Sequence, residues 1–425
     1  MARPTIPSMD DFDYRGKTVL LRVDINSPIH PETKRITNYN RIDQSLPTIR
    51  DISERGAKLV IIAHQGDTLD YQNLISLEEH ASLLGQKLGK QVQFVDDVAG
   101  PAARAAIQRL REGEILLLDN LRYLTEEVST FENDVKLTSQ EMTRTYLVRN
   151  LAPLMDFYVN DAFAAAHRNC PSMVAFQELL PSAGGRLLMK ELDALTSVLD
   201  NPARPCVFVL GGAKISDAFS IMKQVLSSGA ADMVLTSGIT GQIMLMARGH
   251  SLGKPSEDFI KNRSLDKFIP PAQDYLARFP KKLMVPADVA LDDEGKRREV
   301  SVADLPVERL IIDIGRETIE GYCRIVERAG TIFVNGPPGV YEKPMGEEGT
   351  RRLWAAIVTS PGHSVIGGGD TVSSATRFVD TGKINYVSTA GGALIRFLSG
   401  VRLPLIKAME GAGQRQGRVT AAGGG

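Results

Sequence analysis

At 425 residues, the chain is longer than one hydrophobic core normally serves and matches two domains of about 200 residues each. Lysine and arginine number 50 against 51 aspartates and glutamates, for a net charge of −1; this excludes a molecule-wide field that would draw in nucleic acid or an anionic membrane, so any anion binding must be local. No apolar run approaches the roughly 20 residues of a membrane span, the Met-Ala-Arg-Pro start lacks an apolar signal core, and Cys170, Cys206 and Cys323 lie far apart with no metal-ligand spacing, which together point to a soluble protein of the reducing cytoplasm.

Short aliphatic runs alternate with amphipathic stretches. In the first half, residues 18–23, 58–63, 91–95, 115–118 and 157–160 predict strands, with helices over 41–55, 77–88 and 139–151. Residues 184–200 read as a helix between two domains, and Gly184 and Gly185 at its start suit a hinge. The second half repeats the rhythm, with strands over 206–210, 233–236, 282–285, 310–313, 331–334, 364–366 and 386–388. The alternation predicts an α/β fold of two doubly wound parallel-sheet domains joined by an interdomain helix. The domains are expected over residues 1–183 and 201–400, with residues 401–425 as a C-terminal segment returning to the N-terminal domain and ending in a disordered, glycine-rich tip.

In such sheets ligands collect beyond the carboxyl ends of the strands. The first half ends its strands on charge: Arg22-Val23-Asp24-Ile25-Asn26, then Asn40-Arg41, His64, Asp119-Asn120-Leu121-Arg122, and Asn160-Asp161 with His167-Arg168. Each alone is an ordinary surface residue or turn; converging on one crevice, they would bind a small, doubly anionic acid.

The second half ends its strands on glycine. The run Cys206-Val207-Phe208-Val209-Leu210-Gly211-Gly212-Ala213-Lys214 is a buried strand, two glycines and a lysine before a helix start. Bare backbone lets N–H groups approach an anion, and the helix N-terminus adds about half a positive charge. Ser364-Val365-Ile366-Gly367-Gly368-Gly369-Asp370-Thr371 repeats the arrangement with an acid and a hydroxyl, a pattern for a metal-bridged nucleotide. Glu342, after the turn Asn335-Gly336-Pro337-Pro338-Gly339, is a candidate acceptor for ribose hydroxyls. A lone Gly-Gly-Ala-Lys is also what a tight strand-to-helix turn looks like, and neither a Walker pattern nor a dinucleotide fingerprint after the first strand is present. Recurrence at successive strand ends carries the reading.

These motifs, together with Asn120-Leu121-Arg122-Tyr123, Tyr158-Val159-Asn160-Asp161-Ala162-Phe163 and Ser388-Thr389-Ala390-Gly391-Gly392-Ala393, stand in an order that resembles the phosphoglycerate kinase family from about residue 18 to about residue 404, with wording closest to its archaeal branch. The resemblance implies a bilobal kinase that moves a phosphoryl group reversibly between ATP and the carboxylate of 3-phosphoglycerate, with Mg2+ as cofactor. By the same resemblance Asp24, Asn26, Arg41, His64, Arg122 and Arg168 bind the acid. Gly211, Gly212, Lys214, Gly238, Asn335, Glu342, Gly368, Gly369, Asp370 and Thr371 bind the nucleotide, Asp370 faces the metal, and Arg41 and Lys214 stabilise charge on the transferring group. The expected partners are the acid and ATP or ADP, with no nucleic acid and no membrane; nothing in the sequence sets an oligomeric state.

Three positions depart from the family pattern. Asp67 stands where an arginine is expected three residues after His64, Ala218 replaces a second lysine found in many relatives, and Ser237-Gly238-Ile239-Thr240 replaces a Gly-Gly-Gly loop. A carboxylate about 4 Å from a phosphate would cost on the order of 1–4 kcal/mol. Two further readings follow: a paralogue for another small carboxylic acid, and a nucleotide-binding regulator without turnover.

Overall fold

The computed structural model describes residues 3–66 and 71–422. It divides into two compact units, one built on Arg3–Asp193 with the segment from Arg402, the other on Ala194–Val401. Asp67 and the tip beyond residue 422 lie outside the described residues.

In the first unit, β1 (Thr18–Arg22), β2 (Lys58–Ile62), β3 (Val92–Val95), β4 (Ile115–Leu118), β5 (Phe157–Asn160) and β6 (Ser182–Gly184) form a parallel sheet in the order β3-β4-β2-β1-β5-β6. Both β1 and β2 are buried at every position after the first, as parallel strands covered on both faces must be. On one face Val19, Leu21, Leu59 and Ile61 pack with Ile42, Ile49 and Ile52 of the helix Asn40–Glu54. The register aligns Arg22 with Ile62 and with Asn160, so the residues that follow these strands emerge side by side.

The second unit continues with β7 (Cys206–Leu210), β8 (Met233–Thr236), β9 (Leu283–Met284), β10 (Asp288–Asp293), β11 (Lys296–Ser301), β12 (Ile311–Ile314), β13 (Thr331–Asn335), β14 (His363–Ile366) and β15 (Tyr386–Val387). Six of them make a parallel sheet in the order β15-β14-β13-β7-β8-β9. The other three form an antiparallel sheet, β11-β10-β12. Here the sequence expectation needs correction, because residues 310–313 were read as one more parallel strand. The signal was masked by a hairpin whose outer strand, Lys-Arg-Arg-Glu-Val-Ser, is mostly exposed, and whose turn is Glu294-Gly295, both in the left-handed region at φ 55° and 81°. That is the geometry a two-residue hairpin demands, met without the usual asparagine.

Two more expectations change. The helix expected over 139–151 is two short ones, Ser139–Met142 and Tyr146–Leu151. The Thr143 and Thr145 hydroxyls donate at 2.7 Å to the carbonyls of Gln140 and Met142, a local bonding pattern that competes with helix continuation. The strand β6, with no β-branched residue, was not legible; it gains its place by pairing with Tyr158–Asn160. The helix Pro404–Ala422 packs on the first unit, where the Leu405 N–H donates to the Ala166 carbonyl and the Arg415 guanidinium pairs with Glu178 at 3.2 Å.

The helix Arg186–Leu199 begins in the first unit and ends in the second. Its leading glycines serve close packing rather than free rotation. The Gly184 and Gly185 N–H groups donate to the carbonyls of Pro7 and Asn160, and a Cβ at residue 185 would lie 2.2 Å from Asp161 Oδ1. That carboxyl caps the helix by accepting from the Leu188 N–H at 3.0 Å. Burial pushes it up to about 7, against the pull of the Thr48 hydroxyl and the Leu188 and Leu187 N–H groups. The native chain therefore holds a proton that the unfolded chain releases near the ordinary value of 3.8. Stability from this group is complete below that value and is lost as pH rises to about 7. Denaturant melts from pH 4 to 8 are expected to show a decline on the order of 1–4 kcal/mol from this source, which Asp161→Asn abolishes.

Candidate active site

Arg22 ends β1 and is 2% exposed. Its guanidinium is fixed by donation to the Val23 carbonyl, to Ser172 Oγ at 3.5 Å and to His64 Nδ1 at 2.9 Å. His64 follows β2, and the loop it opens is tied to its neighbours. Asn120, beyond β4, accepts from the N–H groups of Gln65 and Arg122 and donates to the Gln65 carbonyl. Asn26 accepts from the Gly66 N–H at 3.0 Å. Asp24 receives Arg41 at 2.9 Å. Arg168 donates through Nε to Glu132 at 2.6 Å.

Burial holds His64 well below its usual value, and the positive charges of Arg22, Arg122, Arg41 and Arg168 push in the same direction. The structure thus brings Asp24, Arg41, His64, Arg122 and Arg168 together, with Asn26 spending its side-chain oxygen on the loop. Arg22 stood among the strand-end charges but was given no acid-binding role, and Glu127 was not among the predicted site residues. Arg22 had a signal, a charge closing an apolar strand; Glu127, buried and accepting from the Ser172 N–H and hydroxyl at 2.6 Å each, had none. Two guanidiniums have spare capacity. Arg168 Nη2 is buried with no acceptor among the described residues, a state that costs about 1–3 kcal/mol when nothing fills it. Arg122 reaches the Glu127 carbonyl at 3.3 Å, and among the described residues it forms no ion pair.

In the second unit the loops after β7, β13 and β14 interlock. The N–H groups of Gly211 and Gly212 donate to the carbonyls of Asn335 and Pro337 at 3.0 and 2.8 Å. They are therefore committed to protein acceptors, which corrects the expectation that these N–H groups face an anion. Glycine is required for another reason, since a Cβ on Gly336, at φ 90°, would sit 2.3 Å from the Gly211 carbonyl oxygen. Asn335 donates to the Gly367 carbonyl at 2.9 Å, and Thr371 accepts from the Gly336 N–H at 2.8 Å. Both act as staples between loops.

The interlocked loops border a cavity of about 200 Å³. Gly211, Lys214, Asn335, Gly368, Gly369, Asp370 and Thr371 line it. The helices Ile215–Ser227 and Gly369–Phe378 both start there, and first-turn N–H groups of a helix have no intrahelical acceptor. Asp217 and the start of the helix Gly392–Leu398 line it as well; the sequence had shown the latter as a motif without a role. Lys214 and Asp370 stand 3.5 Å apart, 69% and 67% exposed. Three predicted residues, Gly212, Gly238 and Glu342, fall outside this lining. Gly238 begins the helix Gly238–Ala247 against Gly212. Glu342 is exposed beside Tyr341, whose hydroxyl is pushed up by burial and then by the charges of Glu342 and Asp370. Ala218 is fully buried, and the Ser237 and Thr240 hydroxyls are buried with no hydrogen-bond partner among the described residues.

The family model for phosphoglycerate kinase matches residues 9–401. The phosphoglycerate kinase of Methanothermobacter thermautotrophicus is 44% identical over 403 residues, covering 95% of this chain and 96% of that protein. That of Methanothermus fervidus is 41% identical over 408 residues, covering 96% and 98%. The chain belongs to the phosphoglycerate kinase family. The crystal structure of phosphoglycerate kinase from Pyrococcus horikoshii OT3 superposes with a TM-score of 0.85 at 36% identity, covering 96% of this chain and 100% of that one.

If the spare capacity of Arg122 and Arg168 makes an anion site, sulfate at millimolar concentration will raise the melting temperature of the protein. Arg122→Met, which breaks no ion pair among the described residues, is expected to fold with stability within about 1 kcal/mol and to lose most of the sulfate effect in a melting assay.

Proposed function

We propose that the chain catalyses reversible phosphoryl transfer between ATP and the carboxylate of 3-phosphoglycerate, forming 1,3-bisphosphoglycerate and ADP. The observation that carries this reading is that, among the described residues, the buried Nη2 of Arg168 has no acceptor and the neighbouring Arg122 no ion pair, a cationic demand that a doubly charged acid would meet. In this reading Arg122 and Arg168 hold the acid's phosphate, while Asp24, Asn26 and His64 orient its carboxylate end. The nucleotide phosphates lie in the cavity against the helix starts at Lys214 and Gly368. Glu342 serves the ribose, and Gly238 backs the loop that carries the base.

No general base is required, because the attacking carboxylate is already an anion. The work left to the protein is in-line positioning and cancellation of negative charge, roles this reading gives to Arg41 and Lys214. Asp370 is the residue that would hold Mg2+, which would supply charge neutralisation on the phosphates. A single exposed carboxylate at the mouth of an anion cavity fits that ion, which is usually held by one or two carboxylates plus substrate phosphates; among the described residues no cluster of three acidic, histidine or cysteine ligands exists. A cytoplasmic location belongs to the same proposal. It is consistent with three cysteines that are free and buried and with the absence, among the described residues, of any helix long and apolar enough to cross a membrane.

The test is ATP, Mg2+ and 3-phosphoglycerate with hydroxylamine as a trap. ADP release matched by hydroxamate formation is expected; binding of ADP with no trapped product for any acid of a panel would overturn the assignment. Lys214→Ala, at an exposed site, is expected to lower kcat roughly 10²–10³-fold with the melting curve unchanged.

A further inference from the structure

His64 sits amid charges of one sign. Arg22, Arg41, Arg122 and Arg168 all act on it, while the nearby carboxylates are engaged elsewhere: Asp24 with Arg41, Glu132 with Arg168, and Glu127 with Ser172. One contact is specific. Arg22 Nη2 lies 2.9 Å from His64 Nδ1. A guanidinium remains protonated at any working pH and has donors only, so the imidazole nitrogen facing it must be the one carrying the lone pair. The neutral ring then keeps its proton on Nε2, which has no hydrogen-bond partner among the described residues. Arg22 cannot swing aside to accommodate the other tautomer, because its remaining nitrogens are anchored on the Val23 carbonyl and on Ser172 Oγ.

We propose that Arg22 is a positioning residue that locks His64 as a neutral imidazole with its proton on Nε2, making it a permanent hydrogen-bond donor to the acid. The substrate atom facing His64 must then offer a lone pair. A carboxylate, phosphoryl or hydroxyl oxygen meets that condition, whereas an ammonium group at the same place meets a donor among cations and is rejected. The substrate half of this statement rests on the phosphoglycerate reading; the tautomer half does not.

The two halves are therefore tested separately. Nitrogen-15 NMR of histidine-labelled protein without substrate reads the ring directly, with the His64 signals assigned by their loss in His64→Gln. The parent is expected to show protonated Nε2 and bare Nδ1, unchanged from about pH 5 to 9. In Arg22→Met the ring is expected to titrate within that range, and Arg22→Lys, which restores a cationic donor, should return part of the lock. Steady-state kinetics give the second arm: Arg22→Met should raise KM for 3-phosphoglycerate about tenfold, with a new dependence on pH, and change kcat little. A parent ring that titrates between pH 5 and 8, or that carries its proton on Nδ1, overturns the proposal even if Arg22→Met does not fold. A locked ring together with inactivity on 3-phosphoglycerate would instead count against the substrate assignment alone.

Discussion

The first unit is organised around an unfavourable concentration of positive charge. Four guanidinium groups act on one buried imidazole, and like charges gathered in a partly desolvated place repel strongly. The fold tolerates them because three of the four are held by fixed neighbours. Arg22 is set by its strand, Arg41 by Asp24 and Arg168 by Glu132. Compensation is incomplete among the described residues, with Arg168 Nη2 lacking an acceptor and Arg122 an ion pair, and in the proposed reading that remainder draws the anion. Neutralising His64 is part of the same economy, since a fifth cation there would add repulsion without adding direction.

The second unit solves a related problem by other means. Its loops carry few charges and lock together through backbone groups and through the side chains of Asn335 and Thr371. The interlock leaves helix ends, rather than the glycine amides themselves, facing the cavity. A close charge pair there, Lys214 with Asp370 at 3.5 Å, is loose and exposed, so it adds little stability.

Much of this was readable in advance where burial and chemistry coincide. The strands β1, β2, β4, β5, β7, β8 and β13 are mostly apolar runs, and the charged or glycine-rich residues after them stand where the sheet register delivers them. Elements whose identity depends on a partner were not readable: β6 is strand only because β5 templates it, and β11 is an edge strand disguised by its charges. The same limit applies to roles. Glycine at 211 looked like an anion contact and is a loop contact; Arg22 looked like the end of a strand and is the group that sets His64. A residue's type is written in the sequence, but which of its hydrogen bonds are already spent depends on neighbours far away in the chain.

The helix Pro404–Ala422 has a consequence for biosynthesis. It completes the unit that contains Arg3–Asp193, while the intervening Ala194–Val401 forms the other unit entire. During translation the residues of the later-encoded unit are therefore all made before those of the earlier-encoded one, whose surface under Leu405 and Met409 stays bare until the helix Pro404–Ala422 has emerged.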